Sequence, residues 1–179
     1  MLKMLKVVES ISEKIEIDEY IPLKVYWVYN ETPDEDITYF RTGDLKNSIL
    51  EFGVYNLTGR LRSVTLISAG TIHNTLLQSL SRVPPKIGTP IIQMDHLNGV
   101  RKVDNIGAFD LYHNNNAIQL LISKNKITDT IISGRVVFGF DNNSDICAVS
   151  VIDLSDKEYS VMKETLDWNS LQKKGISNG

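Results

Sequence analysis

Three histidines, His73, His96 and His113, are the residues best placed by type for acid–base or metal chemistry near neutral pH. Their separations match no zinc-ligand spacing. Cys147 is the sole cysteine, so no second thiolate completes such a site. Asp95-His96 resembles an acid–base fragment, but neighbours along an extended strand point to opposite faces. Ser68-Ala69-Gly70-Thr71 is small and polar, yet it lacks the glycine spacing and the lysine of a phosphate loop, and it reads as a strand-to-loop exit. No nucleophile elbow, dinucleotide fingerprint or zinc-protease helix occurs. No catalytic, cofactor or metal position is assigned and nothing in the residues argues for an enzyme, so the chain reads as one that acts by binding. The reading that stays open beside this is an enzyme with dispersed catalytic groups, which loss of activity on changing Asp95 or His96 would revive.

The most distinctive polar feature is the acidic run Glu31, Asp34, Glu35 and Asp36 around Pro33. It reads either as a solvated loop or as a contact surface for a basic partner. In the second case clustered carboxylates speed encounter with a cationic groove. A second acidic group, Asp153, Asp156 and Glu158, is explained by a helix N-terminus, where negative charge meets the helix dipole. Tyr39, Tyr55, Tyr112 and Tyr159 lie near predicted element ends, and tyrosines are enriched at protein interfaces. Glu31, Asp34, Glu35, Asp36 and Tyr39 are the candidate partner-binding residues.

These residues must be held by a framework of hairpins. An apolar run, a turn rich in Asn, Asp or Gly, and a second apolar run occur over Leu50 to Leu66, Phe109 to Ile122 and Val136 to Val151. Phe52-Gly53-Val54-Tyr55-Asn56 parallels Phe138-Gly139-Phe140-Asp141-Asn142. Leu61, Val64 and Leu66 parallel Ile146, Val149 and Val151. Either any two hairpins look alike at this level, or one domain over 1–179 contains two similar halves, about 20–81 and 100–168. The fold class is α+β, predominantly antiparallel β built from hairpins, with a C-terminal helix and one short middle helix.

The middle helix is expected over His73 to Ser81, with Leu76, Leu77 and Leu80 on one side and Pro84-Pro85 as its stop. The C-terminal helix is expected near Ser155 to Leu166. Ser155-Asp156-Lys157-Glu158 is a capping box, and Tyr159, Met162 and Leu166 form an apolar stripe. Leu23 to Tyr29 alternates so little that it reads as a strand covered on both faces. Lys86 to Asp104 shows little periodicity and reads as the longest connection.

With 179 residues and 42% hydrophobic content the chain can build a substantial core. A net charge of -3 favours neither nucleic acid nor an anionic membrane. The single cysteine fits a reducing cytoplasm, and the start of the chain lacks the apolar length of a signal peptide. The polar tail from Gln172 is expected to fray.

The stretches from Leu50 to Val54 and Thr58 to Leu66, with Val137 to Asn142 and Ile152 to Ser155, resemble bacterial immunity proteins. Such proteins accompany secreted polymorphic toxins, including those of contact-dependent inhibition systems. The resemblance covers about a third of the chain and carries over no catalytic residue. It implies a cytosolic protein in a tight, stoichiometric complex with one cognate toxin domain. Where that toxin is a nuclease with a basic cleft, the acidic run gains a purpose. The alternative is a small-molecule-binding or scaffold β-domain without catalysis.

Overall fold

The computed structural model describes residues 2–29, 36–77, 80–94, 100–114 and 116–176. Strand β1 (Met4–Val8) is followed by β2 (Glu13–Glu16), β3 (Leu23–Trp27), β4 (Ile37–Gly43), β5 (Ile49–Tyr55) and β6 (Leu61–Ser68). Four short strands come next: β7 (Thr71–His73), β8 (Pro85–Ile87), β9 (Thr89–Ile92) and β10 (Lys102–Ile106). Then come β11 (Asp110–Asn114), β12 (Ala117–Leu121), β13 (Asp129–Ser133), β14 (Val136–Phe140), β15 (Ile146–Val151) and helix α1 (Asp156–Ile176).

The strands form a six-stranded sheet, β10-β4-β5-β6-β3-β2, and a seven-stranded sheet, β7-β11-β12-β15-β14-β13-β8. Most pairings are antiparallel, as hairpin connections require. Along the chain, β2 to β6 and β11 to β15 take up the same spatial order: third, fourth, fifth, second, first. Each set is extended beyond its third strand by a parallel edge strand, β10 on β4 and β8 on β13.

The registers also coincide. Leu50 pairs with Leu66 and Phe52 with Val64, as Val136 pairs with Val151 and Phe138 with Val149. A bulge follows Gly53 in one hairpin and Gly139 in the other. Leu23 lies beside Leu66 as Ile118 lies beside Val151. A side-chain period of two then sends the matched apolar residues to the same side of each sheet. Leu23, Val25, Trp27, Phe52 and Val64 of the first sheet share one core with Ile118, Leu120, Phe138, Phe140 and Val149 of the second. The Trp27 and Phe138 rings lie 6.0 Å apart, and the Trp27 indole N–H donates to the Ser133 hydroxyl at 3.3 Å.

A two-stranded ribbon of β1 and β9 joins the hairpin turns. The Ile92 N–H donates to the Gly59 carbonyl, and the Ile146 N–H donates to the Leu2 carbonyl. Gly59 has φ +67°, and a Cβ there would sit 2.2 Å from the Ile92 carbonyl oxygen. Glycine is required at that position for both reasons.

Helix α1 begins at the expected capping box: the Glu158 N–H donates to Ser155 Oγ, and the Ser155 N–H to Glu158 Oε2 at 2.8 Å. The helix runs past its expected end at Leu166 to Ile176, and so takes in the first part of the tail read as frayed. Tyr159, Met162 and Leu166 pack on the shared core. Among the described residues no helix is long and apolar enough to cross a membrane.

The structure corrects three further expectations. The short helix over His73 to Ser81 is absent among the described residues: Thr71–His73 is strand, and only a 3-10 turn, Leu80–Arg82, follows. Three leucines supply an apolar side but no cap. The chain instead bends at Asn74 and Thr75, and a side chain from β12 holds the Leu77 amide. The connection from Lys86 to Asp104 is not structureless, because it contributes to β8, β9 and β10. Its strands are short and pair with distant parts of the chain, so local periodicity carries little trace of them. Strand β3 is covered on one face only: Leu23, Val25 and Trp27 are buried, while Lys24 and Tyr26 are half-exposed.

Candidate interaction surface

The inner faces of the two sheets are alike, and the outer faces are not. On the six-stranded sheet, register places Asp104, Arg41, Glu51, Thr65, Lys24 and Glu16 in one row across all six strands. The adjacent row is Lys102, Tyr39, Gly53, Ser63, Tyr26 and Lys14. Gly53 and Ser63 form a low floor between Tyr39 and Tyr26. Those tyrosines stand three strand spacings apart, about 14 Å.

Arg62, the extra residue of the bulge, is exposed and donates from its guanidinium to the Tyr39 hydroxyl at 3.1 Å. Arg41 grips Asp104 with two bonds of 2.8 Å, which raises the guanidinium pKa and lowers that of the carboxyl. The Tyr26 hydroxyl donates to Glu16 at 2.8 Å, and Lys24 lies 3.3 Å from the same carboxylate. These contacts, the tyrosine bond foremost, lower the Glu16 pKa. Burial pushes the Glu51 carboxyl up, partly opposed by Arg41. A cavity of about 360 Å³ lies beside this floor, bounded by Tyr26, Tyr29, Tyr55, Arg62 and Ser63.

Of the residues expected to bind a partner, Tyr39 stands on this face and Asp36 is exposed just before β4. The Asn56 N–H donates to the Asp36 carbonyl, fixing that end of the acidic run beside Tyr55. Glu31, Asp34 and Glu35 lie outside the described residues, as do Asp95 and His96. Tyr29 precedes the acidic run and borders the cavity. Tyr26, Arg62, Gly53 and Ser63 were missed as site residues. The alternation of Lys24 and Tyr26 with Leu23, Val25 and Trp27 was the available signal.

The remaining candidates have structural roles. His73 stacks on Tyr112 with ring centroids 4.4 Å apart, and His113 Nδ1 lies 3.0 Å from the Tyr159 hydroxyl. Tyr55 is buried and packs edge-on against Tyr29. Cys147 is fully buried in β15, where desolvation raises its thiol pKa. Among the described residues no group of three or more His, Cys, Asp or Glu could hold a metal ion.

The chain matches no protein-family model and no curated protein.

Proposed function

We propose that the protein is a cytosolic immunity protein that binds a cognate toxin domain and neutralises it by covering its active site. The outer face of the six-stranded sheet is its docking surface, with Asp36, the described end of the acidic run, beside it. The carrying observation is the contrast between register-matched outer faces: Arg62 and Tyr39 remain accessible while the matching Cys147 and Thr130 are buried, and Tyr26 stands on the open face where the matching Leu121 packs against an apolar cluster. Tyrosine and arginine supply contact area and directional hydrogen bonds to a partner. The acidic run would steer a basic toxin surface, such as a nuclease cleft, into place. A protein acting this way needs no cofactor and no catalytic residue of its own.

The test begins with intact-mass analysis of proteins that co-purify with the tagged chain from its own cells, followed by binding kinetics with the recovered partner. A one-to-one complex is expected. Changing Glu31, Asp34, Glu35 and Asp36 to Ser should slow association by about tenfold at low salt and flatten its salt dependence. Tyr39→Ala with Arg62→Ala should speed dissociation by about tenfold or more. Unchanged association in the first variant removes the steering role, and unchanged dissociation in the second removes the face.

A further inference from the structure

The covered outer face of the seven-stranded sheet contains a second cavity, on the other sheet from the proposed docking surface. Leu80, Ile127, Cys147 and Ala148 form a small cluster there, with Val83 and Leu121 packed against it. Beside the cluster lies a cavity of about 530 Å³ lined by Leu77, Arg82, Val83, Leu121 and residues 123–127. Its volume falls within the roughly 300–1,000 Å³ typical of small-molecule sites.

The walls are anchored. The Leu77 N–H donates to Gln119 Oε1 at 2.7 Å, and Gln119 Nε2 donates back to the Leu77 carbonyl at 3.4 Å. Asn125, which also lines the cavity, donates from Nδ2 to the Asp141 carboxylate at 2.7 Å. That carboxylate also accepts from the amides of Asn143 and Asp145.

The lining divides into two chemistries. Leu77, Val83, Leu121 and Ile127 supply an apolar floor, while Arg82, Lys124 and Lys126 supply cations. Among the described residues no carboxylate lines the cavity. Lys124 and Lys126 are exposed, and neither makes a salt bridge among the described residues. This is a local reversal in a chain whose net charge is -3.

The geometry points to a binding site for a small amphipathic carboxylate, its acyl chain on the apolar floor and its head between Lys124 and Lys126. Burial supplies binding that grows with chain length, and the lysines select the anionic head. The site is independent of the docking surface, so either can fail without the other.

The experiment is isothermal titration of the full chain with hexanoate, octanoate, decanoate and decanol. Affinity should rise about fourfold per added methylene while the chain remains on the floor. Decanoate should bind about tenfold more tightly than decanol. Lys124→Ala with Lys126→Ala should remove that preference and leave decanol binding unchanged; both lysines are exposed, so the variant should fold. Absence of decanoate binding, equal binding of decanol, or an unaltered preference in the double variant would overturn the site. Sedimentation with anionic-lipid vesicles separates the sources: binding to vesicles without binding to free decanoate overturns a site for a soluble ligand.

Discussion

Two five-strand sets with the same order and register carry opposite outer faces. On the first, small residues at Gly53 and Ser63 lie between tyrosines and charged side chains, and the face stays open. On the second, the matching Gly139 and Ala148 lie beneath Leu80 and Ile127. Identical backbone pairing therefore does not fix what a sheet face does. The side chains that decide it are those pointing away from the shared core, where packing places least restriction on residue type. The covered face still carries polar side chains suited to a wet one: the Thr130 and Ser150 hydroxyls are buried there with no hydrogen-bond partner among the described residues.

The largest effects are expected where the sets agree. Phe52 and Phe138 occupy matching inner positions, and both are nearly fully buried. Phe52→Ala and Phe138→Ala should each lower unfolding free energy by about 3–5 kcal/mol, read by urea denaturation. If one costs far less than the other, the inner faces are not equivalent.

A smaller effect should separate the outer faces. A Cβ on Gly139 would lie 2.8 Å from Leu80 Cδ2 and 2.9 Å from Ile127 Cδ1. One on Gly53 would meet the Ser63 hydroxyl at 2.7 Å, with the Tyr39 ring at an ordinary 3.4 Å. Gly139→Ala should cost about 1–2 kcal/mol, because packed side chains on a covered face must move. Gly53→Ala should change stability by about 0.5 kcal/mol or less, since a serine side chain yields and the unfolded chain loses freedom. Equal costs in thermal or urea unfolding would erase the distinction.

A third effect concerns the helix, which follows the second set and has no counterpart after the first among the described residues. Glu158 bonds Arg135 at 3.0 Å and accepts from Ser155, and these contacts, the arginine foremost, lower its carboxyl pKa to about 2. A depressed carboxylate stabilises the fold at pH values above its unfolded pKa and loses that contribution as pH falls through the folded one. Wild type should exceed Glu158→Gln in stability by about 1 kcal/mol at pH 6. The gap should close between the ordinary glutamate range and about pH 2. A gap that persists at the acid end would assign the effect to packing instead.

The hairpin likeness is legible from residues alone because each strand repeats its apolar side chains with a period of two, and Asn, Asp and Gly mark the turns. The capping box at Ser155 is equally legible, since its bonds join residues three apart. The helix expected near His73, absent among the described residues, shows the opposite case: an apolar side over a few residues does not overcome nucleation cost without a cap. The candidate surface was only partly legible. Tyr39 and Asp36 were named, but Tyr26 and Arg62 reach the same face through pairings between distant strands.

Residue order alone therefore dictates the β-rich hairpin framework, the buried inner residues and the start of the C-terminal helix, because these depend on periodicity and contacts between near neighbours. The order of the strands, the matched registers and the choice of open outer face emerge only on folding, because they depend on which distant segments pair. The short strands β8 and β10 pair in parallel with distant β13 and β4, and such long-range contacts leave no spacing that the chain displays locally.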